Sequence, residues 1–140
     1  MMRTVACDLD GTLADIRHRV RWAQTQDWDR FHKEARHDPV IEPVARLIRS
    51  LERDDWQIIL MTGRSESMRE ATVNWLLLAN VPYDQLRMRP EGNTDHDADL
   101  KLRWAQDYMS LQLVLEDRDK VVAAWRAAGY LCLQTAPGAY

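Results

Sequence analysis

Cysteine is nearly missing from this chain, with only Cys7 and Cys132 among 140 residues. Both lie in apolar runs of strand length, where a thiol reads as a small buried hydrophobe rather than as half of a disulfide or metal pair. Nothing therefore calls for an oxidising compartment. Long hydrophobic runs are missing too: no stretch approaches the roughly eighteen apolar residues of a membrane span. With no charged-then-apolar leader either, the expected setting is cytoplasmic, with no membrane partner. Neither sign of charge dominates. Nineteen Lys and Arg against twenty-two Asp and Glu leave a net charge of −3, which excludes a globally basic nucleic-acid coat and allows only a local basic patch. Five Gly and five Pro fall singly at turn-like places, without linker, repeat or low-complexity tract. The length suits one domain, expected over residues 1–140, able to bury a core without staples.

Alternation is what the sequence has in plenty. Apolar runs of strand length recur at Thr4–Leu9, Gln57–Met61, Gln85–Met88, Leu111–Leu115 and Tyr130–Gln134, and segments of helical period lie between them. Pro43 opens a helix whose Val44, Leu47, Ile48 and Leu51 make one stripe. Ser67 and Glu70 are spaced as a capping box for the next, which carries Val73, Trp75, Leu76 and Leu77. Leu100, Trp104 and the Tyr108–Met109 pair mark a third. Val121, Val122 and Trp125, closed by Gly129, mark a fourth. Strand alternating with helix predicts an α/β fold, a parallel sheet with helices on both faces. Its ligands should lie at the carboxyl ends of the strands, near a topological switch point. Asp8 and Asp10 follow the first run, Thr62-Gly63-Arg64 the second and Glu116-Asp117-Arg118 the fourth, so one shared site is expected there.

The stretch "CDLDGTLAD" at residues 7–15 sets two carboxylates one residue apart at the end of a strand. Alternation along a strand would point Asp8 and Asp10 the same way, and like charges that close repel unless a cation or a shared proton sits between them. An EF-hand loop counted from Asp8 would need Gly at its sixth place and Glu at its twelfth. Those places hold Leu13 and Arg19. A thiol-phosphatase loop from Cys7 would need Arg where Leu13 stands. The carboxylates themselves are the chemistry.

Taken together, "DLDGTLAD", "LMTGR", Lys101 and "VLEDRD" resemble, in order and spacing, the four motifs of haloacid dehalogenase-like (HAD) phosphatases. Within that superfamily the chain is most similar to the 3′-phosphatase domain of phage-type polynucleotide kinase-phosphatase. The likeness covers essentially the full length, including "DRDKVVAAWRAAGY", Arg19 and Asp97 four residues before Lys101. It implies a Rossmann-like HAD fold with minimal or no cap. The implied activity is a Mg²⁺-dependent phosphomonoesterase that removes the 3′-phosphate of a nucleic-acid end in repair. No Gly-rich cradle of P-loop type accompanies it, so no kinase is expected.

The resemblance also implies roles. Asp8 would attack phosphorus to give an aspartyl-phosphate, and Asp10 would protonate the leaving alcohol and then take a proton from water. Asp8, Asp117 and the Asp10 carbonyl would hold Mg²⁺. Glu116 stands where the family often has aspartate, a methylene longer, with a reach that puts it at the metal through water. Gly11 would turn the chain so that neighbouring amides, and Thr12, face the phosphate. Thr62 would donate its hydroxyl to a phosphoryl oxygen and Lys101 would neutralise charge on the phosphate and on Asp8. Arg19, Gly63, Arg64 and Asp97 fall where the family contacts substrate or orients the lysine.

Residues 17–37, "RHRVRWAQTQDWDRFHKEARH", form a small cap-like insertion with six Lys/Arg against three Asp/Glu. Its apolar residues are too few for a separate lid, so the site should stay open. Cations beside Trp22 and Trp28 suit a phosphate at the end of a polymer. His18, His32, His37 and His96 lack metal-ligand spacing. Trp75, Trp104 and Trp125 lie on apolar stripes and belong to the core. The same catalytic group would serve a phosphatase of free (deoxy)nucleoside monophosphates. A catalytically weak protein binding nucleic-acid ends or a partner is the alternative of another class, and the complete four-motif set argues against it.

Overall fold

The computed structural model describes residues 2–140. Five strands, β1 (Arg3–Cys7), β2 (Trp56–Ser65), β3 (Gln85–Arg89), β4 (Leu111–Glu116) and β5 (Cys132–Gln134), form one sheet in the order β3-β2-β1-β4-β5. Every pairing is parallel. From central β1 the chain winds out to β2 and β3, then crosses back to β4 and β5. The switch point therefore lies between β1 and β4.

Six helices connect the strands: α1 (Val20–Gln24), α2 (Trp28–Lys33), α3 (Glu42–Arg53), α4 (Arg69–Leu78), α5 (Asp97–Ala105) and α6 (Asp119–Ala127). The two-residue period of the strands sorts the core. Val5, Cys7, Ile58, Leu60 and Leu115 face Ala45 and Ile48 of α3 and Trp75 and Leu76 of α4. Ala6, Ile59, Met61 and Val114 face Leu100 and Trp104 of α5 and Val121, Val122 and Trp125 of α6. Strands covered on both faces read as unbroken apolar runs, which is why they stand out in the sequence. Cys7 and Cys132 are buried free thiols. No helix among the described residues is long and apolar enough to cross a membrane.

Local expectations fail in three places. Ser67 does not cap α4: the Ser65 side chain accepts from the Ser67 amide instead and starts a 3-10 turn, Glu66–Met68, on which α4 is stacked. The α5 helix ends at Ala105, before Tyr108 and Met109. Tyr108 still packs into the core, but Met109 is fully exposed. Strand limits shift as well, since β1 stops at Cys7, β5 begins at Cys132 and β2 runs through Thr62-Gly63-Arg64 to Ser65. Its pairing with β3 slips between Thr62 and Ser65, a local irregularity in the ladder.

Trp125 is 1% exposed and packs edge-on against Tyr130, 5.2 Å between centroids. Trp125→Ala should cost ~3–5 kcal/mol through the cavity it leaves, read as a lower urea midpoint with little change in slope.

Candidate active site

Three strand ends and one helix meet at the carboxyl edge of the sheet. Asp8 follows β1, its amide donating to the Leu115 carbonyl of β4 at 3.0 Å. Glu116 closes β4 and Asp117 follows it. Lys101 projects from α5, 3% exposed, and its Nζ donates to Asp8 Oδ1 at 2.7 Å and Glu116 Oε2 at 2.8 Å. Carboxylate oxygens of Asp8, Glu116 and Asp117 lie within 4.8 Å of one another. Thr12 Oγ1 sits 3.3 Å from both Asp8 Oδ2 and Asp117 Oδ1, one hydroxyl shared by two acceptors. The Tyr140 hydroxyl closes the cluster on Asp117 Oδ2.

Three buried carboxylates thus cluster around one ammonium that touches two of them, Asp8 and Glu116. Burial and the neighbouring Glu116 charge push Asp8 well above the usual carboxylate range, against the pull of Lys101. Burial likewise raises Asp117, despite the Tyr140 hydrogen bond. Glu116 moves the other way: burial opposes ionisation, but Lys101 holds its carboxyl low. Its second oxygen accepts from the Asp117 and Arg118 amides at 3.1 and 3.4 Å. The cluster is short of positive charge, and its donors are all hard oxygens. That set suits a small divalent cation of the Mg²⁺ kind, with Asp8 and Asp117 the less committed ligands.

Asp10 does not join Asp8 as the sequence suggested. Its carboxylate turns to a separate pair of cations, accepting from Arg64 Nη2 at 2.6 Å and Arg19 Nη2 at 2.8 Å. Burial would raise its pKa, but Arg64 and then Arg19 outweigh that and hold it below the usual range. Directly after Asp10, Gly11 takes a φ of +85° and starts a tight turn. A Cβ on Gly11 would collide with the Asp117 carboxylate. Within the turn the Gly11 amide donates to Ala14 O, and those of Thr12, Leu13 and Ala14 donate to Leu9 O. Those amides are consumed locally, so any that meet a phosphate come before Gly11.

Arg19 and Arg64 are buried, not the surface side chains that arginine usually supplies. A residue the sequence reading passed over explains both. Asp38, its carboxylate fully buried, accepts from Arg19 Nε at 2.7 Å, Arg19 Nη2 at 2.8 Å and Arg64 Nη2 at 3.4 Å. His18 Nε2 lies 2.7 Å from it. Thr62 Oγ1 accepts from the Arg64 amide at 3.1 Å, which leaves the hydroxyl proton free to donate.

Asp97 opens α5 yet does not touch Lys101 one turn later. Its oxygens go to Arg89, which the sequence did not single out, and, at 2.8 Å, to Arg118 Nη1 of the triplet at the end of the fourth strand. Arg89 Nε in turn donates to the Gly63 carbonyl at 3.0 Å. A Cβ on Gly63 would stand 2.6 Å from Asp97 Oδ1, so glycine is what lets β2 and α5 approach this closely. Neither Asp38 nor Tyr140 carried a motif. The only local sign of Asp38 was an aspartate before a proline at the end of the insertion.

Comparison with known proteins agrees with this geometry. Residues 2–140 match the family described as the polynucleotide kinase PNKP phosphatase domain. A putative bifunctional polynucleotide kinase/RNA ligase of Autographa californica nuclear polyhedrosis virus is 34% identical over 131 residues, 89% of this chain but 18% of that protein. A chain in the Pnkp1/Rnl/Hen1 RNA repair complex superposes with a TM-score of 0.87 at 27% identity, covering 100% of this chain and 44% of the other. This chain therefore spans less than half of either relative. L-2-haloacid dehalogenase from Xanthobacter autotrophicus, with chloropropionic acid bound, shares the fold at 11% identity and a TM-score of 0.68, over 96% of this chain and 77% of its own.

Removing Asp38 would strand two buried guanidiniums. Asp38→Ala should cost ~3–5 kcal/mol, the usual penalty for breaking a buried ion pair from one side. Chemical denaturation of the variant beside wild type measures it.

Proposed function

Because the chain belongs to the PNKP phosphatase-domain family of HAD-type phosphatases, we propose that it removes the 3′-phosphate from nucleic-acid ends by Mg²⁺-dependent transfer through Asp8. The observation that carries this reading is the Asp8 carboxylate, fixed by Lys101 at 2.7 Å beside Asp117, at the switch point of the sheet. A nucleic-acid end fits better than a free metabolite on two grounds. The insertion over residues 17–37 folds only as two short helices and a 3-10 turn, a small cap on one phosphatase domain that leaves room for a polymer. The viral relative, a putative bifunctional polynucleotide kinase/RNA ligase, and the matching chain of the RNA repair complex both belong to polynucleotide chemistry.

The residues divide the work. An Asp8 oxygen attacks phosphorus as the bond from phosphorus to the sugar oxygen breaks, and the departing alkoxide takes a proton from Asp10. Water then attacks the aspartyl-phosphate, gives its proton to Asp10, and phosphate leaves with Asp8 restored. Lys101 holds Asp8 in line and offsets charge building on the phosphoryl oxygens, and Thr62 donates its free hydroxyl proton to one of them. Thr12 steadies Asp8 against Asp117. When bound, Mg²⁺ held by Asp8, Asp117 and the Asp10 carbonyl supplies the charge that lets two anions meet. Glu116 serves chiefly to hold Lys101, with both its oxygens occupied. Asp10 must be protonated to act first as an acid, whereas Arg19 and Arg64 favour its anion. An arriving phosphate that draws Arg64 away relieves that constraint.

A turnover panel of 3′-phosphorylated oligonucleotides, 5′-phosphorylated oligonucleotides and mononucleotides tests the reading. The first should be hydrolysed best, excess chelator should silence the activity and Mg²⁺ should restore it. Asp8→Asn should abolish turnover while the thermal midpoint holds or rises, because the ionised Asp8 is disfavoured by its burial and by Glu116. A preference for mononucleotides would point to a nucleotidase instead.

A further inference from the structure

Trp22, one of the two tryptophans the sequence set beside cations for a polymer end, is already occupied by its neighbours. The Arg21 and Arg30 guanidiniums lie 4.5 and 3.7 Å from the Trp22 ring centroid. Across the insertion a different surface is open. A groove of about 610 Å³ runs between α2 with the turn that follows it and the end of β2 with the start of α4. Its volume lies within the roughly 300–1,000 Å³ of ordinary ligand sites.

One wall carries His32, Lys33 and Arg36, and the other Arg64, Ser65 and Ser67. Arg64 is the link to chemistry, because the same guanidinium binds Asp10 at 2.6 Å. Among the described residues Lys33 pairs only with Asp29, at 3.0 Å, and both side chains are more than two-thirds exposed. Such a surface pair is weak, so Lys33 is free to exchange a carboxylate for a phosphate. Arg36 is exposed and meets no carboxylate within ion-pair distance among the described residues. Outside the lining, Trp28 is 53% exposed and stacks beside His32 of the groove, 6.4 Å between centroids and 29° between the ring planes. Burial and the nearby Arg19 push the His32 pKa down, so its ring is a neutral aromatic face at pH 7. Cations beside an exposed aromatic ledge are how single strands are held without regard to sequence.

The other candidate groove, about 310 Å³ near the start of α5, is lined by Asp97 and Asp99 as well as by Arg118 and Lys120. Its arginine is already held by Asp97 and by the Tyr140 carbonyl. The charge there is less suited to a polyanion.

We propose that the groove between residues 29–36 and 64–71 is the track for the single strand behind its phosphorylated 3′ end. Lys33 and Arg36 take backbone phosphates, Trp28 and His32 stack a base, and Arg64 marks where the strand reaches Asp10. This rests on the reading of the site as a nucleic-acid 3′-phosphatase.

The test uses the full chain with two substrates, a 3′-phosphorylated oligothymidylate and 4-nitrophenyl phosphate, in wild type, the double variant Lys33→Ala/Arg36→Ala, Trp28→Ala and Lys120→Ala. In the double variant the ratio of oligonucleotide to small-ester kcat/KM should fall at least tenfold, mainly through KM. The slope of log affinity against log salt should flatten by about 1.4, the share of two lost phosphate contacts on a single strand. Trp28→Ala should lower the same ratio by about five- to a hundredfold, and Lys120→Ala should leave it as in wild type. Wild type that prefers the oligonucleotide with a ratio unmoved by the groove variants overturns this track alone. So does a ratio that falls in Lys120→Ala instead. Wild type without any preference for the oligonucleotide overturns the underlying reading together with it.

Discussion

One ammonium among three carboxylates is the constraint on which this structure turns. Lys101 is buried, and its contacts with Asp8 and Glu116 make that tolerable. To deliver it, α5 must dock on the sheet through Leu100 and Trp104, and β1 and β4 must pair so that Asp8 and Glu116 end at the same height. The pairing of Cys7 with Leu115 sets that height one residue earlier on each strand. Sheet register and charge balance are one requirement here, since a slip of one residue would send each carboxylate to the opposite face.

A second cluster stands beside the first with its charges balanced. Around Asp10 and Asp38 two guanidiniums meet two carboxylates, with His18 alongside. Asp38 lies deepest, and the Trp75 indole anchors its segment by donating to the Asp38 carbonyl at 2.9 Å. Arg19 and Arg64 are therefore oriented from behind by one carboxylate and present their remaining donors toward Asp10. A phosphate entering between the two clusters would meet guanidinium donors on one side and the anion-rich metal ligands on the other. A divalent cation would belong on the Asp8 side for that reason.

Much of this was legible in the chain, and the pattern of success has a physical cause. The parallel sheet showed because strands buried on both faces, such as Val5 to Cys7 and Ile58 to Met61, are continuous apolar runs. The approach of Asp8 to Asp117 showed because α/β topology brings strand ends to one edge. What failed depended on where individual side chains turn. Alternation put Asp8 and Asp10 together, but the strand stops at Cys7 and two arginines distant in sequence claim Asp10. Asp38 was invisible because its partners lie 19 and 26 residues away, a distance no local motif records. Ser65 displaced Ser67 as a cap because β2 ran four residues past its apolar stretch.

The close approach of Gly63 to Asp97 reaches beyond packing. A hydrogen at residue 63 and a carboxylate at residue 97 fill one volume from opposite sides, with Arg89 clamping both. Neither position can drift on its own: a methyl at 63 demands that 97 shorten or move, and α5 carries Lys101 with it. In a set of divergent sequences the two should be inherited as a couple, glycine wherever the helix starts with aspartate, and the pair would date the arrangement of this site better than either motif alone.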